Sequence, residues 1–478
     1  MDLHAAPVTQ LAEAIRRRQL SPLELTEAHI ARMEAVNPHI NALAARRFER
    51  ALAEARQATE NPPEKLPPLH GIPFTVKEFY QAEGLPWSGG VRRFKDRLAT
   101  RDSTVVARMR KAGGILLGSS NAPEGGLWME TYNDVYGRTS NPWDSRRTCG
   151  GSSGGEGALV GSGASPVGLG SDIGGSIRIP AAFCGAFGHK PTPGRVPGTG
   201  HFPDNPGEVG KYLGFGPIGR SARDLALVLD VIAGPDGQDP FSTEMERIGE
   251  GRKDLKGLRV IALESNGRMR VDPEVRQAVR RAELALRNRG ATIVEKEFPR
   301  LKKGGDIWSA ALAGASGEPY EHHLTGGEKM QILRNFARLP RGNADHSFAA
   351  LVLVGLERLL KIVPIFDVPA LIAEGEALQA ELEEALGPDG VLLYPPYSGT
   401  APRHRAAWLK PFDAECTSIF NILQLPVTVV PMGLDRQGLP LSVQVVGQRR
   451  NDALTLKVAE ALEEDLSGFR RAEPGGAN

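Results

Sequence analysis

The run from Gly150 to Thr192, GGSSGGEGALVGSGASPVGLGSDIGGSIRIPAAFCGAFGHKPT, sets glycines beside hydroxyls in two clusters. They are Ser152-Ser153-Gly154-Gly155 and Ile173-Gly174-Gly175-Ser176. Without side chains, consecutive backbone N–H groups can converge on one point. Amide hydrolysis needs a nucleophile, a base to deprotonate it, an acid for the leaving nitrogen and donors for the oxyanion. Ser176 suits the nucleophile. The N–H groups of Ile173, Gly174, Gly175 and Ser176 suit the oxyanion hole, where one donor is typically worth ~3 kcal/mol. The chain has ten histidines, but none lies in a motif that places it beside Ser176. His189 and His201 are the nearest, and a hydrogen-bonded loop or core position suits both better. Lys77 closes the apolar run Ile72-Pro73-Phe74-Thr75-Val76, which reads as a buried strand. Burial disfavours the ammonium, so such a lysine is basic and neutral near pH 7–8. Alone it would read as an ion-pair residue, with Glu78 as partner. A Gly/Ser stretch alone would read as a linker. The set of Lys77, both serines and the IGGS pattern favours catalysis.

Helices and strands alternate along the chain, which favours a mixed α/β layer structure. Ser21-Pro22-Leu23-Glu24 is a capping box with proline at the first helical position. Residues 103–112 read as a helix stopped by Gly113-Gly114, and Ile115-Leu116-Leu117 as a buried strand. Ser221 caps a helix ending at Gly234. Residues 257–263 form a strand, Asp272-Pro273 opens a helix ending near Gly290, and 291–298 form a further strand. Strands follow at 426–432 and 441–447, and Asn451 caps a last helix to about Glu464. The segment 300–410 is rich in Leu and Ala and reads as helical, with the apolar stretch 348–366 inside it. Most of it suits core helix, and part suits a lid lining a substrate channel. No tandem repeat or long linker interrupts residues 1–478, so we expect one large domain.

Lys77 in GIPFTVKE, Ser152 in GGSSGG and Ser176 in SDIGGSIRIPAAFCG, followed by HKPTPG, resemble the amidase signature family of serine hydrolases. Within it the likeness is to the fatty-acid amide hydrolases. SNPWD (140–144), residues 216–234 and residues 425–447 extend the resemblance. It implies a mixed central sheet flanked by helices on both faces, with 300–410 as a helical lid region. It also implies that Ser176 forms the acyl-enzyme, and that Ser152, on a cis peptide bond, relays its proton to Lys77. Ser153 would hydrogen-bond the lysine, and Asp172 and Arg178 would brace the loop. The stretch 121–137 contributes to the acyl pocket in relatives. Its Gly126, Leu127 and Trp128 are expected to line the pocket, the small residues opening it to bulky or aromatic substrates.

The expected reaction is hydrolysis of carboxylic amides, with esters and carbamates by the same route, and with no cofactor or metal. The alternative is an amidotransferase-type subunit that releases ammonia from glutamine within a complex. The continuation PGRVPGTGHFPDNPGE after HKPT is unlike that subunit. A non-catalytic scaffold is disfavoured because Lys77, Ser152 and Ser176 are all present. A net charge of +1 gives no reason to expect nucleic acid as a partner. Three cysteines without a CxxC pair suit a reducing compartment and argue against zinc. The adjacent His322 and His323 lack the spacing that puts two ligands on one helix face. No apolar run is long enough to span a bilayer, and the first residues carry no apolar targeting core. We therefore expect a cytoplasmic monomer or homodimer acting on small molecules with apolar or aromatic groups.

Overall fold

The computed structural model describes residues 1–203, 207–250, 254–362, 367–409, 413–466 and 468–475. The last four residues of the apolar run 348–366, residues 204–206 of the stretch after HKPT, and the end of 300–410 lie outside them.

The strands are β1 (Leu43–Arg46), β2 (Pro73–Lys77), β3 (Ile115–Ser120), β4 (Tyr132–Asn133), β5 (Gly137–Arg138), β6 (Val167–Asp172) and β7 (Phe187–Lys190). They continue with β8 (Gly214–Gly219), β9 (Arg259–Ala262), β10 (Thr292–Ile293), β11 (Gly390–Tyr394), β12 (Val427–Leu434) and β13 (Pro440–Gly447). β4 and β5 make a small hairpin. The other eleven form one sheet in the order β1-β3-β2-β6-β8-β7-β12-β13-β11-β9-β10. β3, β2 and β6 run parallel, as do β11, β9 and β10. The pairs between these groups are antiparallel, so the sheet is mixed, as expected.

Alternation along the strands shows why both faces are covered. Val260, Val391, Leu393 and Val445 pack with Leu11, Val106, Leu229, Val279 and Leu462 from five helices. Their strand neighbours Ile261, Leu392, Tyr394 and Val446 pack on the opposite side with Ile307, Leu378, Leu382 and Ile419. A one-residue slip of register would exchange these two sets.

The helix Pro22–Ile40 carries the expected capping box: Ser21 Oγ accepts from the Glu24 N–H, and Glu24 Oε2 accepts from the Ser21 N–H. Ser221 Oγ likewise accepts from the Asp224 N–H. Three expectations need correction. Asn451 precedes the helix Asp452–Asp465 but caps nothing, because its amide donates to Pro388 O at 2.7 Å. Of 291–298 only Thr292–Ile293 are strand. Val294 N–H still reaches Val260 O, and then the exposed Glu295-Lys296-Glu297 leaves the sheet edge. The segment 300–410 is not helical throughout: Gly390–Tyr394 is a wholly buried strand within the central sheet. The helices Gly304–Ala315 and Val368–Leu386 pack on that sheet. Tyr320–Thr325, Ile332–Arg338 and Phe348–Ile362 instead gather over Phe79, Trp87 and Phe202. Among the described residues no helix is long and apolar enough to cross a membrane.

Candidate active site

Lys77 is the last residue of β2, a strand whose five residues are all buried between β3 and β6. Its Nζ lies 2.7 Å from Ser152 Oγ and 3.0 Å from Ser171 Oγ. The Phe79 ring sits 4.3 Å from the same nitrogen. Burial lowers the Lys77 pKa to about 7, against the opposing pull of Asp172, Glu156 and Glu78. Glu78 is no ion-pair partner. Its carboxylate accepts from Ser88 Oγ, the Gly89 N–H and the Tyr136 hydroxyl at 2.7–3.0 Å.

Ser152 follows a cis peptide bond to Gly151 and precedes the helix Gly154–Gly161. Ser176 sits in the turn between β6 and the helix Arg178–Cys184. The Ser153 N–H donates to Ser176 O at 3.0 Å, which ties the two serine-bearing loops together. Among the described residues no hydrogen bond joins the Ser152 and Ser176 hydroxyls, but both line one cavity with Lys77. Ser153 does not reach the lysine. Its Oγ exchanges hydrogen bonds with the Ser171 backbone at 3.3 Å, and Ser171 Oγ takes the place beside Lys77.

The turn carrying Ser176 is held from beneath. Arg178 and Asp172, both fully buried, form a two-pronged pair at 2.8 and 3.0 Å. Burial opposes ionisation of Asp172, but the Arg178 guanidinium and backbone donors outweigh it and hold the carboxyl below the usual range. Asp172 also accepts from the Gly175 and Ile177 N–H groups. The Gly175 N–H is therefore committed to a carboxylate at 2.8 Å and is not offered as an oxyanion donor. The N–H groups of Ile173, Gly174 and Ser176 have no such partner among the described residues. Trp308 Nε1 donates to Ile173 O at 2.8 Å, and Thr417 Oγ1 to Gly174 O at 2.7 Å. A trans peptide points its N–H opposite its carbonyl. Trp308 thus aims the Gly174 N–H away from itself. Gly175 has φ +125°, and a Cβ there would lie 2.2 Å from Thr417 Oγ1, so only glycine fits.

The cavity, about 200 Å³, has Lys77, Ser152, Ser171 and Ser176 at its polar end. Phe79, Leu127, Phe202, Leu213, Leu312 and Tyr320 are among its apolar and aromatic wall residues, and Ser316, Glu318 and His323 also line it. Gly126 and Leu127 line it as expected. Trp128 lies outside the lining and stacks on Trp408 with ring centroids 4.0 Å apart. Ser171, Trp308, Thr417 and Asn421 were missed. Ser171 had a readable signal, a hydroxyl just before Asp172 at the end of an apolar strand. The other three come from distant helices and carry no local pattern.

A family model described as Amidase matches residues 24–456. The chain is 39% identical to fatty-acid amide hydrolase 2-A of Danio rerio, over 98% of this chain and 89% of that protein. It is 34% identical to an acylamidase of Rhodococcus erythropolis, over 97% and 96% of the two chains. The structure of 6-aminohexanoate cyclic dimer hydrolase complexed with substrate superposes with a TM-score of 0.84 at 28% identity, covering all of both chains.

Proposed function

The chain belongs to the amidase signature family, whose members hydrolyse amide bonds, and on that premise we propose that it is a serine hydrolase acting through Ser176, Ser152 and Lys77. The observation that carries this reading is Lys77 Nζ, buried and 2.7 Å from Ser152 Oγ, in a cavity shared with Ser176. Ser176 Oγ attacks the substrate carbonyl. Its proton passes to Ser152, whose own proton passes to neutral Lys77, since a hydroxyl both donates and accepts. The oxyanion is met by the free N–H groups of Ile173, Gly174 and Ser176. Collapse breaks the C–N bond, and the proton returns from Lys77 through Ser152 to the leaving nitrogen. Water then releases the acyl group by the same relay. Esters and carbamates fit this route, a carbamate giving a carbamoyl-serine. The helices between 320 and 362 act as the lid over the cavity, within a single domain. Cys149, Cys184 and Cys416 are all free and buried, which fits a cytoplasmic setting.

The test is turnover of a matched amide, ester and carbamate that share one reporter group. Wild type is expected to cleave the amide, with Ser176→Ala inactive on every member. Retention of turnover in Ser176→Ala refutes the assignment of the nucleophile.

A further inference from the structure

His201, a buried group in the cavity lining, has no use in the hydrolytic scheme; Ser316, Glu318 and His323 line the same cavity from the segment around the helix Tyr320–Thr325. His201 is 5% exposed and stands in the cavity wall. Its imidazole makes no hydrogen bond among the described residues, and its buried Nε2 has no partner. His189, the other histidine near the serines in sequence, behaves differently: it bonds Thr428 Oγ1 and Asp452 Oδ1 at 2.9 and 3.3 Å.

The His201 ring meets Tyr80 and Phe215 at 5.0 Å and Phe79 at 5.7 Å, each at a steep angle. None of the three offers it a hydrogen bond. The Tyr80 hydroxyl is committed to Gly170 O at 2.7 Å. The backbone is fixed as well, with the His201 N–H on Gly198 O and the Phe202 N–H on Phe79 O. A phenyl ring would meet the packing demands of this cage. An imidazole brings in addition polar atoms whose desolvation no protein contact offsets.

We infer that His201 is a specificity-determining residue, whose imidazole hydrogen-bonds a second polar group of the substrate close to the scissile carbonyl. The inference rests on the hydrolase reading above. Burial, and then the charge of Lys77, hold the imidazole well below its usual pKa. It is therefore neutral, with one donor and one acceptor nitrogen. An imidazole held well below its usual pKa is too weak a base to compete with Lys77, and its neutral ring suits an uncharged partner. The favoured substrates are amides or carbamates bearing an ether, carbonyl or amide group beside the scissile bond, rather than plain hydrocarbon amides. A site built to bond a polar group discriminates against the analogue that lacks it, because its own polar atoms are then left unpaired.

The experiment uses two near-isosteric substrate pairs. One differs on the acyl side, the methoxyacetyl and butyryl 4-nitroanilides. The other differs on the amine side, the butyryl amides of 4-aminoacetophenone and 4-isopropylaniline. Wild type, His201→Phe and His201→Gln are compared by kcat/KM, and folding of the site is read from the rate of Ser176 labelling by a fluorophosphonate. His201→Phe is expected to lose about tenfold more kcat/KM on the polar member of one pair than on its apolar partner. The loss should fall mainly in KM, with labelling unchanged and His201→Gln recovering part of it. Comparing variant with wild type for each substrate cancels intrinsic reactivity. Equal losses on both members of both pairs, or loss of labelling by both variants, would overturn the inference and leave His201 a packing residue. A wild type that neither cleaves any of the four amides nor takes the label would overturn the hydrolase reading and this inference with it.

Discussion

Lys77 can accept a proton only while its amine is neutral. With its pKa lowered by burial to about 7, the neutral fraction grows as pH rises through 7. Activity on kcat/KM is therefore lost on the acid side, about tenfold per unit well below 7. Lys77→Ala is expected to lose most of the rate and this acid limb together. Glu156 gives a finer test. Burial raises its carboxyl to about 8, and Thr75 Oγ1 donates to it at 2.6 Å. When ionised it pulls the Lys77 pKa upward. Glu156→Gln keeps an acceptor for Thr75, and since Glu156 titrates above Lys77 it is protonated along the acid limb, so that limb should stay in place. An acid limb of kcat/KM that moves to lower pH in Glu156→Gln would show instead that Glu156 is ionised beside Lys77 and raises its pKa. Lys77 could be read as a candidate base from the mostly apolar run 72–76 before it. That Ser171 and Glu156 would stand beside it was not legible, since neither sits near it in sequence, although Ser171 shows as a hydroxyl at the end of its strand.

The turn from Asp172 to Arg178 depends on an element almost 240 residues away. The helix Glu415–Ile422 supplies Thr417 Oγ1 to Gly174 O, Thr417 O to Arg178, and Asn421 to both Asp172 and Arg178. Asp172 and Arg178 could be read as braces because the family resemblance covers the stretch around Ser176. The helix beneath them could not, because only the completed sheet brings it there. Thr417→Val retains the shape and removes the donor. Gly174 O then loses its partner in a part-buried site, a defect of at most about 1–3 kcal/mol, and the peptide next to the proposed oxyanion donors is freed to turn. Kinetics should show kcat down about tenfold with KM little changed. Arg178→Met is expected to act on stability instead. It strands the Asp172 carboxylate without its cation, at a cost of about 3–5 kcal/mol, so thermal unfolding should fall well below that of wild type. Equal behaviour of the two variants in both measurements would show that the brace has no separable catalytic part.

Across the whole molecule, the sheet order divides the chain in a way that no local pattern shows. Of the eleven sheet strands, β1 to β3 and β6 to β8 make one side and β9 to β13 the other, and within the sheet the two sides are joined where β7 pairs with β12. Some strands were legible individually, since runs such as PVTVVPM and LSVQVVG alternate or stay apolar between turn residues, whereas β11 reads as part of a helical segment and β6 to β8 are not read at all. The order of the strands was not legible, because it is decided by which buried faces fit together at long range. That seam carries a buried polar network. His189 on β7 bonds Thr428 on β12, and Asp452 accepts from the Thr192 N–H and hydroxyl at 2.8 Å. The Arg195 guanidinium lies 3.0 Å from Asp452 Oδ2, with both side chains nearly sealed from solvent. The seam is thus joined by charge and hydrogen bonding as well as by strand pairing, so the two sides should unfold in one calorimetric transition. Asp452→Ala removes the acceptor shared by His189, Thr192 and Arg195 and leaves a buried cation unpaired, costing about 3–5 kcal/mol. A lowered melting temperature, with the single transition broadened or split, is the expected result, while fluorophosphonate labelling of Ser176 persists below that transition. Unchanged melting in Asp452→Ala would mean that apolar packing alone couples the two sides, and that the seam network adds nothing to their cooperativity.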